Sequence, residues 1–147
     1  AVKQFNVEPI VALTSYSNFG EYRLGSPAQI QEAVDTLHRK YPEILVDGEM
    51  SASIAFNTEL RQARFPFSPL ADKDVNTIIF PNLSSGNIAL GVLQELGNNE
   101  IIGPVLLGLN KPVHILQMGC SVRDIVYMTT LAVTDAQKEM PVDMCRI

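Results

Sequence analysis

The sequence has 147 residues, of which 46% are hydrophobic and 18% charged, and its formal net charge is −5. This length and this mildly acidic composition are typical of one domain. Because no basic face stands out, we expect no nucleic-acid or membrane partner, and the apolar runs are too short to span a bilayer. We expect no signal peptide and a cytoplasmic location, because the two cysteines lack C-x-x-C spacing. The chain starts at Ala1, and we expect a fragment of a longer protein.

Strand and helix patterns alternate along the chain. Apolar, mostly β-branched runs predict three buried strands, at Ile10–Tyr16, Ile44–Val46 and Val75–Phe80. Apolar residues at helical spacing predict four helices, the first from Ser26 to the residue before Pro42, the second over Ala52–Arg64, the third from Ser84 or Ser85 to Leu96, and the last after Ser121. We expect Ile54, Ala55 and Leu60 to face inward in the second helix and Phe65–Asp74 after it to be a loop. The predicted apolar positions are Ile88, Val92, Leu93 and Leu96 in the third helix, and Val122, Ile125, Val126, Thr129, Val133 and Ala136 in the last. Strand, helix and strand in this order predict a right-handed parallel crossover.

Short polar motifs mark the boundaries of these elements. Ser26-Pro27-Ala28-Gln29 predicts a helix start with Ser26 as the N-cap of a capping box, and Ser121–Asp124 repeats the capping-box pattern. Asp47–Glu49 contains Asp-Gly and predicts a turn. The runs Val105–Leu107 and Val113–Leu116 flank a segment rich in Gly, Asn and Pro, and they predict a hairpin at one edge of the sheet.

These elements together predict a three-layer α/β/α sandwich with a mostly parallel sheet and an edge hairpin. We expect this domain to cover residues 1–137 and residues 138–147 to form a C-terminal tail. Open α/β sheets keep their ligands at the carboxyl ends of the strands. We therefore expect four turns to gather on one rim: Ser15–Gly20, Asp47–Glu49, Pro81–Asn87 and Gln117–Ser121.

Few side chains in the sequence stand out as candidates for chemistry. His38 lies on the polar side of the first helix, where we expect it to be solvated, and His114 could face either side of its run. With no second His or Cys at ligand spacing, we predict no metal site. Asp47 and Glu49 could share a cleft, but carboxylates in turns usually only form the turn. No nucleotide-binding glycine motif is present.

Asp124 has two interpretations. At the third position of a helix its carboxylate can cap the helix and favour the dipole, and near a cleft it would suit a general base for a thiol. Ser121 is ambiguous in the same way, either as a cap or as a hydroxyl donor to an anion at a helix N-terminus. From spacing alone the capping interpretation is favoured for Asp124.

Several motifs resemble those of the phosphate acetyltransferase family. They cover roughly Val11 to Gln137, occur in family order, and the long ones are specific. The matching segments are Asp47–Glu49, Ile78–Leu83, Gly86–Ile88, Gly103–Val113 and Gly119–Val126. The resemblance implies two α/β subdomains with an acetyl-CoA and phosphate cleft between them, of which this chain supplies the C-terminal part.

Two branches of proteins share these motifs, and the residues before Gly119 separate them. Phosphate acetyltransferases carry a Ser-Arg pair there, whereas the C-terminal domain of large NADP-dependent malic enzymes carries Gln-Arg. Here the pair is Gln117-Met118, and Phe19 replaces a lysine of the transferases. Further motifs resemble the malic enzyme branch: Ser15–Gly20, Phe65–Ser68, Arg123-Asp124 and Asp135–Gln137. Since a thioether cannot replace a guanidinium that binds phosphate, acetyl transfer to phosphate is disfavoured.

The resemblance therefore implies a regulatory and oligomerisation domain that senses acetyl-CoA or a related acyl-CoA and associates with itself. It implies no catalytic residue in this chain, with malate decarboxylation, NADP and a divalent metal belonging to domains absent from it. The candidate effector-binding residues are Ser15, Ser17, Asn87, Ser121 and Asp124. Two alternatives remain open, namely the C-terminal subdomain of an active phosphate acetyltransferase and an oligomerisation module whose cleft binds nothing.

Overall fold

Three parallel strands form the sheet, in the computed structural model that describes residues 7–97 and 101–137. They are β1 (Ile10–Thr14), β2 (Leu45–Met50) and β3 (Thr77–Ile79), in the order β2-β1-β3. Ile10 pairs with Leu45 in β2, and Val11 pairs with Thr77 in β3. The predicted parallel crossover is therefore confirmed, and the predicted tail lies outside the described residues.

The described part of the chain also contains five helices, which alternate with the strands. They are α1 (Ser26–Lys40), α2 (Ala52–Phe56), α3 (Thr58–Arg64), α4 (Leu83–Leu96) and α5 (Val122–Gln137). None of the helices described is both long enough and apolar enough to traverse a lipid bilayer.

Both faces of the sheet are covered, because successive side chains of a strand point to opposite sides. On one face Leu13 and Val46 pack against Val34 of α1. On the other face Ala12 and Met50 join a core with α2 and the segment after α3, including Ile54, Ala55 and Leu70. These layers confirm the three-layer α/β/α sandwich.

The chain divides into two compact units, residues 1–95 and residues 96–147. In the second unit, the described residues 101–121 contain no strand, so the predicted hairpin over Val105–Leu107 and Val113–Leu116 is wrong. An apolar run predicts a buried segment, but a strand also needs a neighbouring chain that completes its hydrogen-bond ladder. The apolar pattern alone does not say whether such a neighbour exists.

The predicted helix over Ala52–Arg64 is two helices, α2 and α3, that meet at Asn57. The side-chain oxygen of Asn57 accepts a hydrogen bond from the N–H of Leu60 at 2.8 Å. Asn offers the backbone such a local alternative to a continuous helix, which is why it favours caps over helix interiors. The inward positions predicted for Ile54 and Ala55 are confirmed.

The helix starts differ from the predicted caps at two of three places. In α1 the N-cap is Gly25, not Ser26, and no side chain caps the helix. In α4 the cap is Asn82, whose side-chain oxygen accepts from the N–H of Ser85 at 2.9 Å. In α5 the predicted capping box of Ser121 and Asp124 is confirmed.

A buried arginine holds the irregular segment that follows α3. Arg61 is fully buried, and desolvation lowers the pKa of its guanidinium. The guanidinium donates to the carbonyl oxygens of Ile54, Ala55 and Leu70 at 2.7–2.9 Å and also to that of Lys73. This one side chain thus ties α2 to the Phe65–Asp74 segment, which the sequence correctly predicts to be a loop.

Candidate functional site

The carboxyl edge of the sheet carries the first group of candidate residues. Since β1, β2 and β3 are parallel, the segments Ser15–Gly20 after β1 and Pro81–Asn87 after β3 leave from the same edge. The Thr14 hydroxyl links the two strands there by donating to the carbonyl oxygen of Ile79 at 2.9 Å. Gln117–Ser121 belongs to the second unit, so its place on this rim stays a prediction.

Asp47–Glu49 lies inside β2, so the predicted turn is wrong. Gly48 has a φ of 150°, and a Cβ added to it would collide with the carbonyl oxygen of Leu13. Glycine is therefore required for the close approach of β1 and β2, not for a chain reversal. Both carboxylates are buried, and that of Asp47 accepts from the Ser68 hydroxyl at 2.5 Å.

Glu49 is the organising residue of this edge. Its side chain is 0% exposed, and its Oε1 accepts hydrogen bonds from the Ser17 hydroxyl and from the N–H of Gly20, both at 2.9 Å. Its main-chain carbonyl accepts from the N–H of Phe19 at 2.8 Å. Oε2 is buried and has no hydrogen-bond partner among the described residues. The carboxylate therefore fixes the loop after β1 to the end of β2.

Ser15 and Ser17 differ in what they can offer to a ligand. Ser17 is 1% exposed, and its hydroxyl donates to Glu49 while accepting from the N–H of Tyr22 at 3.0 Å. Ser15 is half-buried, and its oxygen accepts a weak 3.4 Å bond from the N–H of Ser17. Ser17 thus shapes the loop, whereas Ser15 lies closer to solvent.

Phe19 contributes packing and no charge to this loop. Its ring lies 4.7 Å from that of Phe65 and 5.1 Å from that of Phe67, measured between ring centroids. Rings at these separations and tilts are favourably arranged. Phe19, the residue that the resemblance sets in place of a lysine of the transferases, is thus packed in an aromatic cluster with Phe65 and Phe67.

Asn87 lies on α4 and is exposed. None of the residues of α4 is buried, although Ile88, Val92, Leu93 and Leu96 follow helical spacing as predicted. The helix carries one charged residue, Glu95. An apolar helix face of this kind normally packs against another surface.

Ser121 and Asp124 lie together in the second unit. Asp124 Oδ2 accepts from the N–H of Ser121 at 2.7 Å and from its hydroxyl at 2.8 Å, and the Ser121 oxygen accepts from the N–H of Asp124 at 3.2 Å. The main-chain bond from Ser121, followed by the hydroxyl bond, lowers the pKa of Asp124. A lowered pKa makes a weaker base, so this geometry favours capping over proton abstraction.

The residues before Gly119 are exposed in the second unit. Met118 is fully exposed, and Gln117 is exposed as well. The Gln117 carbonyl accepts from the N–H of Cys120 at 3.2 Å, which closes a turn. No guanidinium is available at position 118 to bind a phosphate bidentately.

His114 and Asp135 form a buried pair that the sequence did not predict. The His114 Nε2 and Asp135 Oδ2 atoms are 3.7 Å apart, with side chains 5% and 7% exposed. The predicted face of α5 is wrong here, because Val122, Val126 and Val133 are exposed whereas Met128 and Asp135 are buried. Met128 and Asp135 stand at i and i+7, which is a helical spacing that could have revealed this buried face.

The remaining polar candidates have structural roles. His38 is exposed as predicted, and its Nε2–H also donates to the carbonyl oxygen of Val46 at 2.7 Å, which ties α1 to β2. Within residues 7–97 and 101–137, no group of three or more His, Cys, Asp or Glu side chains comes together in a way that could hold a metal ion.

The comparisons with known proteins agree with this fold. A profile of the family described as phosphate acetyl/butaryl transferase matches residues 1–133. The NADP-dependent malic enzyme of Salmonella typhimurium is 38% identical over 92% of this chain and 18% of its own length. The phosphate acetyltransferase of Bacillus subtilis is 35% identical over 91% of this chain and 41% of its own length. A solved phosphotransacetylase from Streptococcus pyogenes matches with a TM-score of 0.82 and 35% identity, over 92% of this chain and 41% of that one. The chain thus spans less than half of each of these relatives.

Proposed function

The chain belongs to the phosphate acetyl/butaryl transferase family, and from this we propose that it is the acetyl-CoA-sensing and assembly domain of an NADP-dependent malic enzyme. Such an enzyme is an oxidoreductase. The relative from Salmonella typhimurium is named NADP-dependent malic enzyme. In this proposal malate oxidation, NADP and the divalent metal belong to parts of the parent protein outside this chain.

The observation that carries the proposal is the pair Gln117-Met118. A transferase needs to bind phosphate, and an arginine gives two charge-assisted hydrogen bonds that a thioether cannot give. The loss of such contacts should cost roughly 1.5–3 kcal/mol, about tenfold to a hundredfold in phosphate handling. Phe19 stands where a transferase is expected to carry a lysine, and its ring is packed against Phe65. The carboxylate of Asp124 is engaged in capping α5, which makes it a poor general base. A chain of this family without these groups suits binding better than transfer.

We propose different roles for the candidate residues. Asn87 and Ser15 in the first unit are direct effector contacts, because both lie near the carboxyl edge and are at least partly accessible. Ser17 acts through its bond to Glu49 by holding the loop that carries Ser15. Ser121 and Asp124 in the second unit are contacts that their capping role keeps in place.

The test is whether acetyl-CoA inhibits malate oxidation by the full-length protein. The reaction is measured as NADPH formation. Binding must favour one conformation or assembly state, since equal affinity for both would shift nothing. Asn87→Ala should weaken inhibition, while turnover without acetyl-CoA and the melting temperature stay nearly unchanged. Gln94→Ala, another exposed position on α4, is the matched control and should leave inhibition as it is.

Two outcomes would contradict the sensor proposal. The first is an enzyme whose malate oxidation does not respond to saturating acetyl-CoA, which would leave assembly as the proposed role. The second is a set of variants in which weaker inhibition always accompanies a sharply lower melting temperature, which would make the chosen residues structural.

The assembly proposal rests on the uncovered apolar face of α4. Large apolar patches usually mark interfaces, and we propose that this face mediates self-association. Val92→Glu should shift the full-length protein toward smaller species in sedimentation velocity, whereas Gln94→Glu on the same helix should not. A concentration-independent monomer for the unaltered protein would overturn the proposal.

Phosphate acetyl transfer is the second candidate function, favoured by the 35% identity to the transferase of Bacillus subtilis. It predicts acetyl phosphate formation from acetyl-CoA and phosphate by the full-length protein, with loss of activity in Asp124→Asn. Absence of product, with the protein folded and malate oxidation intact, rules this function out.

A further inference from the structure

His114 and Asp135 lie inside the second unit. His114 belongs to the irregular segment that leads into Gln117–Ser121, and Asp135 lies on α5, the helix that begins directly after this turn. The pair thus brings the segment before the turn close to the C-terminal end of α5. Each side chain is more than nine-tenths buried.

The surroundings of this pair are apolar. A cleft of about 370 Å³ lies beside it, and His114 itself lines this cleft. The other lining residues carry no ionisable group: Pro112, Leu116, Met128, Thr129, Ala132, Val133 and Ala136. Neither ring nitrogen of His114, nor Oδ1 of Asp135, has a hydrogen-bond partner among the described residues. Asp135 is therefore the ionisable partner available to His114 here, and His114 is the ionisable partner available to Asp135.

Two buried polar groups in an apolar setting stabilise the fold only when they interact with each other. At 3.7 Å the Nε2 and Oδ2 atoms are within ion-pair range, and an approach of about 1 Å would give a charge-assisted hydrogen bond. Breaking such a pair leaves an uncompensated buried group, which is strongly destabilising at that point. A hydrogen bond between these two side chains would hold the segment before the turn in register with α5.

We propose that His114 and Asp135 are positioning residues, which clamp the segment ending at Leu116 onto α5 and so fix the turn Gln117–Ser121. The functional part of this inference rests on the proposed acetyl-CoA sensing, because Ser121 and Asp124 lie at the end of that turn. The clamp sets the position of α5 against the preceding segment, and so the position of Ser121 at the N-terminus of α5, without touching the effector. It adds two residues to the site that neither motif nor capping pattern predicts.

The experiment compares four variants of the full-length protein: His114→Leu, His114→Gln, Asp135→Asn and Val133→Ala. The first removes the polar partner, and the second keeps an N–H donor near the position of Nε2. Val133→Ala alters the same cleft without touching the pair and serves as the control for packing. The turn is followed by the alkylation rate of Cys120, mapped by peptide mass, because this thiol is free and partly accessible. Malate oxidation with and without acetyl-CoA gives the second readout.

His114→Leu should raise both the Cys120 alkylation rate and the half-inhibitory acetyl-CoA concentration by about tenfold, within the usual range for coupled sites. Turnover without acetyl-CoA should not change, and His114→Gln should stay within about threefold of the unaltered protein. If His114→Leu does not fold, Asp135→Asn takes its place and should show the same two increases. Val133→Ala should affect neither readout.

The inference is overturned if Cys120 reacts at the same rate in every variant. It is also overturned if Val133→Ala reproduces the effect, or if His114→Gln behaves like His114→Leu, since a general packing role would give these results. An unaltered protein that ignores acetyl-CoA contradicts the sensor proposal alone. Cys120 alkylation still decides the clamp in that case.

Discussion

Replacing Glu49 with alanine should loosen the loop after β1. The change removes the two hydrogen bonds that Oε1 accepts from Ser17 and Gly20, both 2.9 Å long. Bonds to a charged group contribute about 1.5–3 kcal/mol each, or roughly 3–6 kcal/mol together. The loss of the buried, unpartnered Oε2 offsets about 1–3 kcal/mol of this. We expect a net local cost of about 2–3 kcal/mol.

Amide hydrogen exchange measures this cost where it arises. The N–H groups of Gly20 and Tyr22 depend on Glu49 directly or through Ser17, so their local opening should become easier. Since about 1.4 kcal/mol corresponds to a factor of ten, exchange in a peptide covering residues 18–22 should accelerate roughly 30- to 140-fold. A peptide from α3, which does not contact this loop through any described hydrogen bond, should keep its exchange rate.

Glu49→Gln is the matched control for shape. Its amide oxygen can replace Oε1 and accept from both donors, so exchange in the loop should rise less than about fivefold. The reasoning is refuted if alanine leaves the loop as protected as before. It is equally refuted if glutamine loosens the loop as much as alanine, because Oε1 would then not be the anchor.

Three further predictions follow from local geometry. Asn57→Ala should destabilise α3 by about 1 kcal/mol through loss of its cap, seen as faster exchange of residues 58–64, whereas Asn57→Gly should cost only a few tenths. Gly48→Ala should strongly lower the melting temperature because its Cβ has no room, whereas Gly91→Ala, with open space around it, should raise helix stability by up to about 1 kcal/mol. Ser121→Ala should raise the pKa of Asp124 toward its ordinary value of 3.8. Carbon-13 NMR titration of the carboxyl group would show this.

The sign of the pH effect at Asp124 follows from its lowered pKa. The bonds from Ser121 stabilise the fold above the pKa of an unfolded aspartate, and this contribution is lost as the pH falls through the lower folded-state value. Since Ser121→Ala keeps the main-chain bond to Asp124 and removes only the hydroxyl bond, a pKa of Asp124 that does not move would contradict the hydroxyl bond. An unchanged melting temperature in Gly48→Ala would contradict the close approach of β1 and β2, and unchanged exchange in Asn57→Ala would contradict the cap.

The sequence predicts the parts of the fold that depend on neighbouring residues. β1 and α1 follow from apolar runs and periodicity, because each of these elements buries the side that its own pattern defines. β3 is a strand as predicted, but the prediction that it is buried is wrong, because Ile79 is 46% exposed and none of its residues is buried. The capping box at Ser121 is local as well, and it is present as predicted. The parallel α/β arrangement follows from the order of strands and helices, and the comparisons support it.

What the sequence did not predict depends on partners far along the chain. Asp-Gly normally indicates a turn, yet Glu49 continues a strand because its carboxylate finds donors at Ser17 and Gly20. Arg61 would be expected on a helix surface, and its acceptors are carbonyl oxygens that no side-chain pattern reveals. Asp135 is buried on α5 because His114 lies opposite it. In each case the local preference is overruled by a contact that only the folded chain provides.

The guanidinium of Arg61 has a consequence for how this domain tolerates insertions. Extra residues in a surface loop usually cost little, because the entropy of loop closure grows slowly with length. Here the same guanidinium binds the carbonyl oxygens of Leu70 and Lys73, so the chain between them has a fixed span. A library of single-residue insertions should therefore show an intolerant stretch at positions 70–73 in a loop without secondary structure. Lysine at position 61 should not hold this span, because a single ammonium group cannot donate in the same planar arrangement to several carbonyl oxygens.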